Sequence, residues 1–585
     1  MNHQAHALLW ALWTCFLSTN TAISTEKLLV CAPHSGCIQG TYMPGFQTAR
    51  FEAFLGIPYA RPPTGELRLR NPEIMPKWRG TYNATAAKPD CIQKNYLLPT
   101  PSVYGEEDCL YLNVYRPQHR SKQKLPVMVY IHGGGFFSGS AGPLVTGPEY
   151  FMDNEQVILV TLAYRLGALG FLSTGDSFMP GNFGLKDQNL ALQWVKRNID
   201  AFGGDPQRVT IFGQSTGAIS THMHILSPKS RGLFQNAISM SGTANVPFAI
   251  ESQPLEQARQ AAELCDIKGA SWLSSAKLAR ALRKVDVRTL IDAGDGLKFW
   301  DVDHLTNYRP VVELEGPDSF LSEHPETLMA KGSYMKVPWL LGTLPGEGAV
   351  RAVNIMENKT LREDFNADFD AMLEEFLEFP SVFTKAQLKP KMKLIMEEYL
   401  QDKHELNEET IWGFMDIISD RGFKQPLYNA VREHVSSLDP KNPPIYIYSF
   451  NYSGPHSFTQ IYTSVKPARN YGVVHCDSLI YLFRSPMLFP DFGRHSTDAQ
   501  AIQTIVDYFV HFAKYGEPKI VEPLTPCTEN FFKLRPTGFC EYQEFTNSEA
   551  GVELKISKKF PVARAKLWNN ILGEARANSN PNPAC

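Results

Sequence analysis

A serine hydroxyl can open an ester only if a base takes its proton and something accommodates the oxyanion that forms. Gly213-Gln214-Ser215-Thr216-Gly217 has the G-x-S-x-G pattern that presents such a serine. As a bare string the pattern arises by chance in a chain of this length with a probability of roughly 0.2, so its setting matters more than its letters. A β-branched run at residues 208–212 leads straight into it, and a helix-compatible run at 218–226 follows. This spacing predicts a tight strand-to-helix turn that strains the serine backbone and aims the positive end of a helix at any charge developing on Ser215.

The need for an oxyanion site points upstream. The apolar run 125–131 stops abruptly at His132-Gly133-Gly134-Gly135, where backbone amides can approach a tetrahedral oxygen without side-chain interference. The amides of Gly134 and Gly135, with that of Thr216, would form a three-donor hole. Taken alone, a triglycine is a plain turn or a phosphate loop. This one lacks the Gly-Lys-Ser/Thr ending of a P-loop and has Ser138 where G-x-G-x-x-G requires glycine. In elbow-built hydrolases the acid and then the histidine follow the serine in the chain. His475, led by Gly472 and followed by Asp477, is the candidate base. Glu347, on a Gly/Pro-rich loop after the apolar run 338–341, is the candidate acid.

These residues lie far apart in the sequence, so extended elements must gather them. Between about 110 and 240 strand and helix signals alternate, which predicts an α/β fold with a large, mostly parallel central sheet and crossover helices. Strands are expected at 125–131, 157–162, 208–212, 237–240, 338–341 and 444–450, and a helix over 187–202. The stretch from about 250 to 440 has a helical pattern and reads as helical insertions covering one end of the sheet. The chain of 585 residues, with 57 Lys+Arg against 60 Asp+Glu, could hold several domains. The distribution of serine, acid and histidine favours one, at 25–575, after a signal peptide at 1–24 and before a short polar tail at 576–585. The signal reading rests on an uncharged N-terminus with an apolar block at 7–17, and on Ala22 and Ser24 in the relation signal peptidase accepts.

Near-neutral charge offers no electrostatic footprint for nucleic acid. No stretch after the signal reaches the ~18 apolar residues of a membrane span, nor does the tail carry a GPI signal, so secretion without a membrane anchor is expected. Six of ten cysteines fall into close pairs, Cys31/Cys37, Cys91/Cys109 and Cys527/Cys540, which suit oxidation outside the cell although spacing does not prove connectivity. Cys15 would leave with the signal, and Cys265, Cys476 and Cys585 remain over. Sequons at Asn83, Asn358 and Asn451 are candidate glycosylation sites. No C-x-x-C and no histidine pair at zinc spacing occurs, so neither metal nor cofactor is expected.

Taken together the motifs resemble the type-B carboxylesterases, the cholinesterase/carboxylesterase branch of the α/β-hydrolases. The similarity is carried by Glu107 to Pro117 (EDCLYLNVYRP), Phe54 to Ala60 (FLGIPYA), Tyr164-Arg165-Leu166-Gly167 and Asn182 to Gln188 (NFGLKDQ). The resemblance implies the α/β-hydrolase fold, Ser215 as nucleophile, His475 as base, Glu347 as orienting acid, and a Cys91–Cys109 disulfide. Departures narrow the subgroup. The family usually has Glu before the serine and Ala after it, where this chain has Gln214 and Thr216. Gln214, with Arg50-Phe51 and Asp187-Gln188, is similar to the motif set of insect juvenile hormone esterases, whereas Thr216 and Cys476-Asp477 differ from that set. Thr216 places a β-branched side chain beside the acyl site. A neutral Gln214 and a 91–109 loop without Trp argue against a quaternary ammonium substrate. The expected substrate is a small apolar uncharged ester, juvenile hormone among the candidates; a general xenobiotic or pheromone esterase is the alternative. The family also holds neuroligin-like adhesion proteins that keep the fold and lose the triad, but all three triad positions are present here. Nothing in the sequence reads on oligomeric state.

Overall fold

A computed structural model describes residues 28–98, 100–119, 123–436, 443–519, 524–528, 538–549 and 551–578. The signal-peptide reading at 1–24, with Cys15, and the tail residues 579–585, with Cys585, lie outside the described residues. Eleven strands form the main sheet: β1 (Thr41–Met43), β2 (Phe51–Pro58), β3 (Tyr111–Arg116), β4 (Leu125–Ile131), β5 (Ile158–Leu162), β6 (Gly204–Gln214), β7 (Asn236–Met240), β8 (Trp339–Thr343), β9 (Ile445–Asn451), β10 (Tyr542–Ser548) and β11 (Gly551–Ser557). Their spatial order is β11-β10-β9-β8-β7-β6-β4-β5-β3-β2-β1. From β5 through β4 and β6 to β10 every neighbouring pair is parallel, and the antiparallel pairs lie at the two ends. This is the large, mostly parallel sheet of an α/β-hydrolase.

The central strands read as unbroken apolar runs because both of their faces are covered. Alternate side chains go to opposite layers, as a period of two dictates. Val127, Val129 and Ile131 of β4 join one core with helices α1 (Phe183–Asn198) and α2 (Thr216–Leu226). Met128 and Tyr130 join the opposite core with helix α7 (Thr497–Tyr515). A third core belongs to the insertion helices, among them α3 (Ala349–Glu357), α4 (Lys385–Leu400) and α5 (Ile411–Ser419), and it takes in Tyr471 and Val474 from the loop that carries His475. Helix α6 (Gln425–Ser436) packs into the first core.

Two expected elements shift. The strand at 208–212 extends back to Gly204 across an irregularity before Val209. The helix expected over 187–202 starts at Phe183 and ends at Asn198, with a 3-10 turn at Ile199–Phe202. Its first turn, Phe183 to Lys186, is buried all round and so shows no apolar face; directly after it Arg165 Nε and Nη2 donate to the two oxygens of Asp187 at 2.8 and 2.7 Å. The final helix, α8 (Val562–Asn578), runs on past the boundary expected at 576. Disulfides join all three expected cysteine pairs, Cys31–Cys37, Cys91–Cys109 and Cys527–Cys540. Among the described residues no helix is long and apolar enough to cross a membrane.

Candidate active site

β6 ends at Gln214 and α2 begins at Thr216, leaving Ser215 as the single residue of the turn, with φ 57° and ψ −124°. This conformation is sparsely populated for a non-glycine residue and persists only where the surroundings impose it. They do so here. Ser215 N donates to the Met240 carbonyl of β7 at 2.8 Å, and the Ser215 carbonyl accepts from Ala218 N and Ile219 N, the first turn of α2. Strand and helix therefore pass so close that a Cβ on Gly217 would collide with the Ile131 carbonyl, and one on Gly213 with the Gly217 carbonyl. The two glycines of G-x-S-x-G are the steric condition for the turn.

β8 delivers the acid. Glu347 follows its C-terminal end and is fully buried; Oε1 accepts from Leu344 N at 2.9 Å and from Thr343 Oγ1 at 3.3 Å. Oε2 lies 2.6 Å from His475 Nδ1, so Nδ1 carries a proton and Nε2 presents its lone pair. The two loops are tied together by Gly346 N donating to the Val473 carbonyl at 3.0 Å. Tyr462 Oη donates to the His475 carbonyl at 2.7 Å, and the Phe423 ring stands 4.8 Å from the imidazole. Burial of the ring works against the imidazolium, but Cys476 and the Glu347 carboxylate outweigh it, and the pKa of His475 is raised. The loop itself is pinned by the buried carboxylate of Asp477, which accepts from Val474 N and Phe458 N at 2.9 and 2.7 Å.

Facing the serine, Gly134 and Gly135 adopt φ 111° and 62°, and Phe136 continues the left-handed winding at φ 60°. His132 at the head of the run stacks on Tyr164 and is pushed down to about 4 by burial, so it stays neutral. Gly134, Gly135, Ser215, Thr216 and His475 all line one cavity of ≈ 1030 Å³, mouth included. Leu97, Phe137, Phe248, Leu305, Val350, Phe376, Ile418 and Phe423 give it a mostly apolar wall. Its charged members are Asp303, Arg309, Arg351, Glu378 and Arg421. Arg309 binds Glu378 through two 2.7 Å bonds, and Arg351 Nε binds Asp303 at 2.8 Å.

The structure thus brings Ser215, Glu347, His475, Gly134, Gly135 and Thr216 to one place. It also adds contacts that sequence reasoning missed. Gln214 Nε2 lies 3.1 Å from His475 Nε2, so the side-chain amide donates to the lone pair of the imidazole. The ion pairs of the cavity wall come from scattered positions with no motif to mark them. Of the three sequons, Asn83 is exposed, while Asn358 caps a helix by accepting from Thr360 N and Leu361 N, and Asn451 Nδ2 reaches Glu544 Oε1 at 3.4 Å. Cys265 is half-buried and Cys476 buried, both as free thiols. Among the described residues no cluster of His, Cys, Asp and Glu could hold a metal ion.

A site of this construction can perform acyl transfer. Residues 26–564 match the Carboxylesterase family. The chain is 39% identical to juvenile hormone esterase of Tribolium castaneum, with 85% of each chain covered. It is 32% identical to venom carboxylesterase-6 of Apis mellifera, over 92% of this chain and 93% of that one. Among solved structures, juvenile hormone esterase from Manduca sexta with OTFP covalently attached superposes with a TM-score of 0.78 at 26% identity, covering 94% of this chain and 100% of that one.

Proposed function

The chain belongs to the carboxylesterase family and is a carboxylic ester hydrolase, and from that premise we propose that it is a secreted serine esterase whose nucleophile is Ser215, base His475 and orienting acid Glu347. The observation that carries the assignment is the 2.6 Å contact between His475 Nδ1 and Glu347 Oε2, made beside a strained serine that opens into the same cavity. In the reaction Ser215 Oγ attacks the ester carbonyl while its proton passes to His475 Nε2. Glu347 holds the tautomer and stabilises the imidazolium. The carbonyl electron pair moves to the oxygen, where the amides of Gly134, Gly135 and Thr216 receive it. The imidazolium then protonates the leaving alcohol, and water, deprotonated by the same nitrogen, releases the acid from Ser215.

For Nε2 to serve Ser215 it must exchange partners with Gln214. The apolar wall and the paired charges suit an uncharged apolar ester. Among the described residues lining the cavity there is no tryptophan to receive a quaternary ammonium. Juvenile hormone is the substrate we favour, since two relatives bearing that enzyme's name match across most of the chain. Labelling with an organophosphate and mapping the adduct tests the mechanism: the label is expected on Ser215, and Ser215→Ala is expected to lose both label and turnover. A Ser215→Ala protein with full esterase activity would overturn the assignment. Comparing kcat/KM for juvenile hormone with that for short aryl esters tests the substrate, and a preference for the aryl esters would favour a general carboxylesterase.

A further inference from the structure

Phe136 is fully buried in a left-handed backbone conformation that a bulky aromatic residue rarely adopts. It directly follows Gly135, so whatever holds Phe136 also determines where the amides of the glycine run point. Its carbonyl accepts from Gly167 N at 2.8 Å, and its ring packs on Phe171 with centroids 4.7 Å apart. Its own N–H donates to Thr216 Oγ1 at 3.3 Å. Thr216 is also fully buried. At the head of the glycine run, Tyr164 Oη donates to the His132 carbonyl at 2.8 Å.

Two side-chain hydrogen bonds therefore hold the loop, one from Phe136 N–H to Thr216 Oγ1 and one from Tyr164 Oη to the His132 carbonyl. They bracket Gly133, Gly134 and Gly135. Thr216 also supplies the backbone amide proposed as the third oxyanion donor. The alanine usual at this position in the family pattern could not make the bond to Phe136 N–H. Threonine fits because its γ-oxygen can accept.

We infer that the hydroxyl of Thr216 is a positioning residue for ester hydrolysis: it clamps the glycine run onto the nucleophile turn and so fixes the three oxyanion amides relative to one another. The inference rests on the triad and oxyanion hole proposed above. Donors held in place before charge develops need no reorganisation as the tetrahedral intermediate forms, so the clamp acts on the transition state and not on substrate binding.

The test compares Thr216→Val, which keeps shape and removes the hydroxyl, with Thr216→Ser, which keeps the hydroxyl. Thr216→Val is expected to lower kcat about 10-fold with KM changed less than about 2-fold, and to weaken by a similar factor the binding of a trifluoromethyl ketone, to which a serine adds as a tetrahedral adduct. Thr216→Ser is expected to stay within about 3-fold of the parent in both. Thr216→Ala removes the same hydroxyl with the residue usual at this position in the family pattern and gives a second reading if the valine variant does not fold; a loss of kcat in the same direction is expected. Wild-type kcat and ketone affinity in Thr216→Val, or in Thr216→Ala should the former not fold, would overturn the inference, as would an equal loss in Thr216→Ser. Ser215→Ala separates the two layers. If it retains activity the proposed triad fails; if it is inactive while Thr216→Val is unaffected, only the clamp fails.

Discussion

At the scale of single residues, the state of His475 decides the pH dependence. The imidazole must be neutral to act as a base, and its pKa is raised, with the Glu347 carboxylate among the causes. Activity should therefore rise with pH through an inflection above the ordinary imidazole value of about 6.5. Gln214 Nε2 meets the nitrogen that must work as the base, which makes it a sensitive handle. Gln214→Glu puts a negative charge beside the imidazolium, favours the protonated form and moves the inflection up. A shift of about one pH unit is expected, with kcat/KM at neutral pH down about 10-fold and recovering in alkali; an unmoved limb in the pH–rate profile would refute the contact's influence. Glu347→Gln has the opposite effect on the imidazole and in addition releases its tautomer, so kcat should fall about 10³- to 10⁴-fold. The motif residues themselves were legible in the sequence because each is demanded by chemistry or sterics at a fixed offset. The Gln214 contact was not, since it joins residues 261 apart and depends on how two loops meet.

At the scale of elements, α2 carries an acid liability. His222 Nδ1 accepts from Ala244 N at 2.9 Å, which places its proton on Nε2, and that atom lies 2.9 Å from His434 Nε2 on α6. His224 Nδ1 meets Ser230 Oγ at 2.7 Å and its Nε2 meets Gln188 Oε1 at 3.1 Å. All are buried and neutral. Burial pushes His222 and His224 down to about 3, and His434 is lowered by burial, by His222 and by Lys336. Their folded-state pKa values lie below the unfolded value of about 6.5, so the stability they contribute is present above that pH and is lost as pH falls below it. Each can contribute a slope of up to about 1.4 kcal/mol per pH unit. His475, raised instead, works in the other direction. Urea melts at pH 7.5, 6.0 and 5.0 should show stability falling steeply, and His434→Asn should flatten the slope; a stability independent of pH across this range would contradict the account. Sequence periodicity found α2 and the central strands because continuous apolar runs have few other readings. It missed β10 and β11, whose sequences YQEFTNS and GVELKIS are polar enough for a sheet edge, and it gave no location for the cavity wall, which is assembled from separate insertion helices.

At the scale of the whole molecule, the spacing of serine, acid and histidine means that one sheet must be complete before the site exists. Ser215 follows β6, Glu347 follows β8, and His475 lies beyond β9, so the three stand at the same carboxyl edge, where open α/β sheets place their chemistry. We therefore propose that the chain from about residue 25 through α8 forms one domain, and the export reading bears on how that domain is held together. Cys91 and Cys109 close a loop with a sequence separation of 18, and such a loop adds about 3 kcal/mol by restricting the unfolded chain. That bond lasts only where the compartment is oxidising. Expression of the full chain in a secreting eukaryotic host should release into the medium a protein that begins near residue 25 and loses mass on endoglycosidase treatment, with the exposed Asn83 as the principal site. Reduction should lower its midpoint in denaturant, and Cys91→Ser/Cys109→Ser should reproduce most of that drop in the absence of reductant. Retention inside the cell with an intact N-terminus, or a midpoint indifferent to both reduction and the double substitution, would place the enzyme in a reducing compartment and remove the case for secretion.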